Sequence, residues 1–383
     1  MAFPGSAFCQ NNTDVASSLV APSKPLPEAL GDQKIKLLTT KVDLGLAALA
    51  KLQEEDGSFP TKEYARPAIT SLAIMAYLSR GHKPSEGPYG TLLDKAVNFI
   101  LASQKKSGIF AQEEVNFPLI NTMIPATGVD GYFYGDGGAA KTYCHGICML
   151  MLGEVYGLTS PERGFRIRNA IEKGLKCTLQ LWDIRQGADE YDGGFRYTRP
   201  WRDGAEGDLS ITGWHAASIR SIRNAGFDVP QKMMDRVAAF VLRTQNSDGG
   251  FGYIPGSRST HIMTSAGSLC MALAGKHDHP SVKKSCRFLK DFDSDNYRHL
   301  TSYNGSHYPY YTCYYMTQFS IQMGGQLWKH CMNECYDYLI RNQDVSGLWQ
   351  KRGRASHYGP AYSTSMAIIA LTPPLQLLPI YQR

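Results

Sequence analysis

One pattern constrains this chain more than any other: Gln, three residues, Gly, one residue, aromatic. It occurs at Gln53–Gly57–Phe59, Gln104–Gly108–Phe110, Gln245–Gly249–Phe251 and Gln343–Gly347–Trp349. A fifth, stretched copy follows Gln180, where an insertion precedes Asp192-Gly193-Gly194-Phe195. Gln53 and Gln104 are 51 residues apart, and Gln245 and Gln343 are 98 apart, about two periods of 49. The gap predicts a degenerate copy near Phe288–Asp293. A fixed period of roughly 20–50 residues belongs to closed or stacked repeat arrays.

The flanks define the repeating unit. Upstream of the first copy, Val42 to Leu49 places apolar residues at i, i+3, i+4 and i+7, the period of a helix. Downstream, Thr70 to Leu78 is a second run of small and apolar residues, echoed at Tyr143–Gly153, Leu209–Ile222, Thr264–Ala274, Tyr311–Ile321 and Tyr362–Leu371. Six helix pairs result. The first helix of each pair is mixed in polarity and belongs outside; the second is apolar nearly all round and belongs inside. The predicted fold is all-α, an (α/α)6 toroid over residues 39–383, preceded by a flexible N-terminal arm over 1–38. In the joint, Gly accommodates the reversal of the chain. The Gln amide is suited to backbone groups left open at helix ends, and the aromatic to packing across those ends. The motif is therefore structural. Two insertions, Ala111–Asp136 and Leu181–Tyr191, break the regularity, and long loops in compact domains are commonly functional or mobile.

Composition narrows the function classes. With 43% hydrophobic and 19% charged residues the chain is globular. Lys plus Arg exceed Asp plus Glu by 40 to 34, scattered without a dense basic run, so no nucleic-acid footprint is present. The nine cysteines follow no framework spacing, and several sit within apolar helical runs. Free thiols favour a reducing compartment such as the cytoplasm. The first residues show no signal peptide, although a mature exported chain fits as well. No apolar run approaches the length of a membrane span.

A ring of six inner helices creates a central cavity rimmed by their N-terminal ends. The residues expected there are Arg66 and Thr70, Tyr143 and His145, Asp208, Ser210 and Thr212, His261 and Thr264, Tyr311 and Tyr314, and Tyr362 and Thr364. Among these, Asp208, His145 and Tyr311 are the catalytic candidates. Tyr143, Ser210, Thr212, Trp214, His261, Tyr314 and Tyr362 are the binding candidates. The structural alternative for Asp208 is an N-cap. Cys144 and Cys148 share a helix face with His145 adjacent in sequence, but small side chains that let helices pack closely explain the thiols better than a metal does. The 22 tyrosines cluster in segments at the rim. Their apolar faces and polar edges suit an isoprenoid chain or a sugar ring.

These residues resemble the prenyltransferase and squalene-oxidase repeat, the toroid of squalene-hopene cyclases and protein prenyltransferase β-subunits. The ending Tyr362-Ser363-Thr364-Ser365-Met366-Ala367 with Pro373-Pro374 is similar to a bacterial branch of this repeat class. The cyclases carry a DxDDTA motif whose central Asp protonates an alkene. Here the segment is Asp208-Leu209-Ser210-Ile211-Thr212-Gly213, with Ser210 at the donor position, and a serine hydroxyl is too weak an acid for that step. The prenyltransferases hold zinc through Asp, Cys and His. Tyr310-Tyr311-Thr312-Cys313-Tyr314 resembles one part of that set, but Tyr311 replaces the ligand histidine, and no Asp-x-Cys occurs. No metal and no cofactor is therefore expected. The resemblance implies a toroid that binds an isoprenoid or other small hydrophobic ligand, with cyclase activity altered or lost. As an enzyme it would be a terpene cyclase-like isomerase or transferase. It leaves room for peripheral membrane contact and leaves the oligomeric state open. Two other readings stand beside it: a polysaccharide lyase or glycan-binding toroid using Arg199, Arg202, Tyr197 and Asp203, and a non-catalytic protein-interaction scaffold.

Overall fold

The computed structural model describes residues 29–61, 64–114, 138–183, 190–197, 207–302, 304–350, 358–375 and 377–381. Twelve α-helices alternate between an outer and an inner layer among these residues. The outer helices are α1 (Asp32–Ala50), α3 (Gly90–Ala102), α5 (Pro161–Asp183), α7 (Gln231–Arg243), α9 (Pro280–Leu289) and α11 (Gly325–Asn342). The inner helices are α2 (Arg66–Leu78), α4 (Gly138–Val155), α6 (Leu209–Asn224), α8 (His261–Leu273), α10 (Pro309–Met323) and α12 (Gly359–Leu371). Each inner helix packs on the next, and α12 packs back on α2, so the ring closes.

The split in polarity read from the sequence is the split in burial. In α2 every residue from Pro67 to Leu78 is buried. In outer α7 the buried residues are Met233, Met234, Val237, Ala238, Phe240 and Val241, one face at helical period. Small residues bring inner helices close together. A Cβ on Gly153 of α4 would sit 3.1 Å from the Ile222 nitrogen of α6.

The Gln motif forms the joint between repeats. Gln53 Nε2 donates to its own loop at Gly57 O (3.0 Å) and to Leu92 O of the next outer helix (2.9 Å). Gln104 does the same to Gly108 O and Ala170 O, and Gln245 to Gly249 O and Ser281 O. Gln343 closes the ring by reaching Gly347 O and Lys41 O of α1, both at 2.8 Å. The acceptors are carbonyls of the next helix, Leu92 and Ser281 in its first turn and Ala170 and Lys41 farther along, so the amide uses the second lone pair of a carbonyl already in a helical ladder. Gly347 has φ of +89°, and a Cβ there would lie 2.7 Å from Leu44 O of α1. Glycine is thus required twice, for its backbone conformation and for close approach. The motif aromatics Phe59, Phe110, Phe195, Phe251 and Trp349 are fully buried.

Two copies differ from the sequence reading. The degenerate copy is at Thr301–His307, not Phe288–Asp293: Thr301 and His307 form the bridge and Gly305 has φ of +80°. Thr301 in place of Gln and His307 in place of Phe or Trp hide it from the pattern. In the stretched copy, Gln180 lies within α5 and does not tie the loop. Arg243 of α7 takes that task, donating to Glu190 O at 2.9 Å and to Asp192 O, while Arg236 pairs with Asp192.

Ring closure through α11, α12 and α1 yields a measurable expectation. Gln343→Ala should lower unfolding free energy by about 1–3 kcal/mol through two lost bonds to part-buried carbonyls. Gly347→Ala should cost more than about 2 kcal/mol through backbone strain and the clash with α1. Urea unfolding checks both, and unchanged midpoints would refute the joint.

Candidate functional site

The N-terminal ends of the inner helices meet at one face of the ring, and a connected polar chain runs across it. Asp208 precedes α6 in extended conformation (φ −127°, ψ 150°) and caps it. Its Oδ1 accepts the Ile211 N–H at 3.0 Å and the Ser210 hydroxyl at 2.7 Å. Its Oδ2 accepts from Arg196 Nη1 at 2.9 Å, in an ion pair whose side chains are 7% and 0% exposed. Arg196 Nη1 also meets Tyr253 OH at 2.9 Å, and Tyr253 OH meets Tyr197 OH at 3.0 Å. The guanidinium lies over both tyrosine rings, 4.5 Å from that of Tyr197 and 5.6 Å from that of Tyr253. On the other flank Tyr143 OH meets Ser210 Oγ at 2.5 Å.

Motif loops set this register. Phe195 bridges to Asp208 and Phe251 to Thr260, which brings Arg196, Tyr197 and Tyr253 to the start of α6. Leu209 N–H donates to Tyr253 O at 2.9 Å, fastening the two loops together.

One turn deeper, aromatic side chains cross the centre of the ring. Trp214 of α6 stacks on Tyr314 of α10, with centroids 5.1 Å apart and planes 16° from parallel. Tyr315 lies 5.9 Å from Trp214. Helix α8 stands between α6 and α10 in the ring, so these contacts span the middle and form a floor. Tyr311 stands above it, 4.8 Å from Tyr315 and 6.3 Å from Trp214. Tyr308, Tyr358 and Tyr362 continue the wall, with Tyr308 6.5 Å from Tyr311 and Tyr358 5.2 Å from Tyr362. Together these rings form an aromatic cluster, the bowl, where the inner helices begin.

Burial is the main electrostatic influence on the tyrosines. It raises Tyr143, Tyr253 and Tyr311 well above the ordinary phenol value, and the Asp208 charge pushes each the same way. These phenols are donors at physiological pH, not bases. Burial works against the Arg196 charge, but Asp208 and the flanking tyrosines outweigh it and hold that guanidinium above its ordinary value.

The bowl gathers Asp208, Ser210, Tyr143, Trp214, Tyr311, Tyr314 and Tyr362 from the sequence candidates. Three others lie elsewhere. Thr212 turns behind the wall: its Oγ1 accepts the Phe195 N–H at 2.9 Å and donates to Asp208 O at 2.6 Å. The equivalents Thr70, Thr264 and Thr364 accept from Phe59, Phe251 and Trp349 in the same way. His145 fills that position in α4. Its Nδ1 accepts the Phe110 N–H at 3.3 Å and its Nε2 meets Thr178 Oγ1 at 2.9 Å. Burial depresses it to about 3, so it is neutral at physiological pH with both nitrogens engaged. His261 packs 3.9 Å from His299 and 5.2 Å from Phe288, in a separate cluster, and burial followed by the His299 charge depresses it to about 3. Arg196, Tyr253 and Tyr315 were not among the sequence candidates. The adjacency of Arg196 to the motif residue Phe195 was the signal that could have found it. Arg199, Arg202 and Asp203 lie outside the described residues, as does most of the first insertion. Among the described residues no group of three or more His, Cys, Asp and Glu converges as a metal site would.

At the opposite end of the ring, a concavity of about 410 Å³ is lined by Arg220, Arg223, Asn224, Gln231, Met234 and Leu273, among others. Arg220 there caps the end of α8 through Leu273 O at 3.5 Å, and Arg223 bonds Gln231. Both arginines are thus engaged by neighbouring groups of the protein.

A closed double ring of helices, with its polar and aromatic groups gathered where the inner helices begin, defines an α/α toroid protein. The chain belongs to the family described as prenyltransferase alpha-alpha toroid domain, whose model matches residues 30–118 and 121–373. The solved structures it resembles include the type II terpene cyclase MstE from Scytonema in complex with geranylgeranyl dihydroxybenzoate. That match has a TM-score of 0.55 and 12% identity, covering 91% of this chain and 100% of that one. An α-1,6-mannanase of Salegentibacter sp., in complex with α-1,6-mannotriose, matches with a TM-score of 0.58 and 8% identity, over 88% and 99%. A protein from Actinoplanes matches with a TM-score of 0.57 and 15% identity, over 88% and 99%. These likenesses carry the fold alone. No curated protein sequence matches the chain.

Asp208→Asn should keep the cap but remove the buried carboxylate charge that faces Arg196, costing about 3–5 kcal/mol in urea unfolding. A loss under about 1 kcal/mol would show the ion pair to be unimportant. His145→Thr, which restores the residue used in the other repeats, should be less destabilising than His145→Ala, which strands the Phe110 N–H. Thermal melts of the two variants decide this.

Proposed function

We propose that the protein binds a compact isoprenoid-derived or other small hydrophobic ligand in the aromatic bowl, and that it does not carry out acid-initiated cyclisation. The observation that carries this reading is the position of Asp208 beneath the bowl. Among the described residues the partners of both its oxygens are donors: Ser210 and Ile211 on one, Arg196 on the other. A carboxyl so placed has no proton directed at a ligand. Ser210, at the donor position implied by the cyclase resemblance, is hydrogen-bonded to Tyr143 and Asp208. What remains is a receptor. Ring faces of Trp214, Tyr311 and Tyr362 supply apolar contact, and tyrosine hydroxyls beside Arg196 suit a polar end group. The floor made by Trp214, Tyr314 and Tyr315 favours a short or cyclic ligand over a long extended polyene.

The glycan readings have less support. Glycoside hydrolysis ordinarily uses two carboxyls, and the described cluster contains one, Asp208. A lyase needs a base, and burial pushes the bowl tyrosines away from that role.

Native mass spectrometry of purified protein should detect a bound terpenoid-class lipid, and adding it to stripped protein should change Trp214 fluorescence. Tyr311→Ala and Tyr362→Ala should each weaken binding by about 2–10-fold, the worth of one aromatic contact. Incubation with linear polyprenyl substrates should give no cyclised product with either the unaltered protein or Asp208→Asn. Product formation abolished by that substitution would overturn the reading.

A further inference from the structure

The end of the ring opposite the bowl contains a carboxyl that the binding reading does not use. Glu154 lies in the last turn of α4 and is 5% exposed. Its Oε1 is 2.5 Å from Ser221 Oγ of α6, and its Oε2 accepts the backbone N–H of Ile380 at 3.1 Å. Ile380 belongs to the segment after α12. From Thr372 that segment passes a short helical turn at Pro373–Leu375, brings Leu377 beside Gly81 at the end of α2, and docks its Pro379–Tyr381 turn on α6. Leu378 and Ile380 are buried, at 6% and 2% exposure. The segment therefore straps the rim from α12 past α2 to α4 and α6, and Glu154 holds its far end.

We propose that Glu154 is a pH-sensitive latch for this C-terminal strap, closed when the carboxyl carries a proton and released when it is ionised. Burial favours the neutral acid, and the hydrogen bonds accommodate it. With the proton on Oε1, the carboxyl donates to Ser221 Oγ. The Ser221 hydroxyl then turns to Leu150 O, 3.3 Å away. Oε2 remains free to accept from Ile380. Every donor has an acceptor. The last turn of a helix, with its carbonyls directed outward, also disfavours a negative charge.

No described cation compensates an ionised Glu154. On α6, Arg220 reaches Leu273 O and Arg223 reaches Gln231. After α4, Tyr156 packs 5.3 Å from Phe227. Beside α2, Arg80 pairs with Asp43, and His82 lies 4.8 Å from the Tyr89 ring. On the neighbouring face of α5, Arg163 pairs with Asp94 and Arg168 with Glu172. Burial, opposed by the Ser221 and Ile380 bonds, raises Glu154 to about 7 against an ordinary 4.5. The folded value is the higher one. The latch is therefore at full strength below pH 4.5 and is lost as pH rises through 7.

The test is hydrogen exchange of the C-terminal peptide, read as protection relative to the intrinsic rate at each pH. In the unaltered protein, protection across Leu378–Tyr381 should fall roughly 100-fold between about pH 5 and pH 8, because ionisation of a carboxyl held above its ordinary value progressively favours the open strap. Glu154→Gln supplies one donor and one acceptor in the arrangement of the neutral acid, so its protection should stay flat with pH. Protection in the unaltered protein that does not change with pH would overturn the proposal by itself, whether or not the variant folds. A Glu154→Gln variant that keeps the same pH slope would overturn it too.

Discussion

The structure depends on one interaction repeated around the ring: a glutamine amide that donates at once to its own turn and to the next outer helix. Geometry explains why this small contact matters. Each helix hairpin buries its inner helix only if both neighbours are present, so the repeats must be held in register. A glutamine at Gln53, Gln104, Gln245 and Gln343 supplies that register with two charge-free bonds. The adjoining glycine lets the turn touch the neighbouring backbone. The last of these joints links Gln343 to Lys41, the far ends of the described ring, and turns a stack into a closed toroid.

Closure creates two unlike ends. All inner helices begin at one end, where long loops deliver Arg196, Tyr197 and Tyr253 to the cap of α6. A buried ion pair and a set of neutral phenols result, floored by Trp214 and Tyr314. Such a surface is rigid, because each side chain of the polar chain from Tyr143 to Tyr197 is engaged by the next. A rigid aromatic surface binds a ligand at little ordering cost. At the other end the inner helices terminate, their carbonyls face outward, and the C-terminal strap covers part of the rim. One fold thus pairs an aromatic end with a strapped end.

The family relationship and the site carry different information. The terpene cyclase and the mannanase share the ring with this chain at 12% and 8% identity. One holds geranylgeranyl dihydroxybenzoate and the other a mannotriose, very different ligands on one architecture. A toroid specifies where side chains converge, whereas the side chains specify what happens there. In this chain the convergent acid is consumed by a cap and an ion pair, so the chemistry of the ring's relatives does not transfer by shape.

The sequence by itself determined the architecture. The Gln–Gly–aromatic period and the two classes of helix were local signals, repeated often enough that only a ring of hairpins satisfied all of them. It also placed Asp208, Tyr143, Trp214 and Tyr311 near the mouth, because helix starts are readable from periodicity. Tertiary structure alone decided which way each side chain turned. Thr212 and His145 sit within one turn of the mouth, yet both point to a motif loop, since a buried aromatic N–H needed an acceptor there. Arg196 became the partner of Asp208 through a bridge between Phe195 and Asp208, a pairing that no helical period marks. Glu154 and Ile380 are 226 residues apart and meet only because the ring closes. Spacing along a helix fixes an address on a cylinder. The partner across the gap is fixed only when the cylinders are packed.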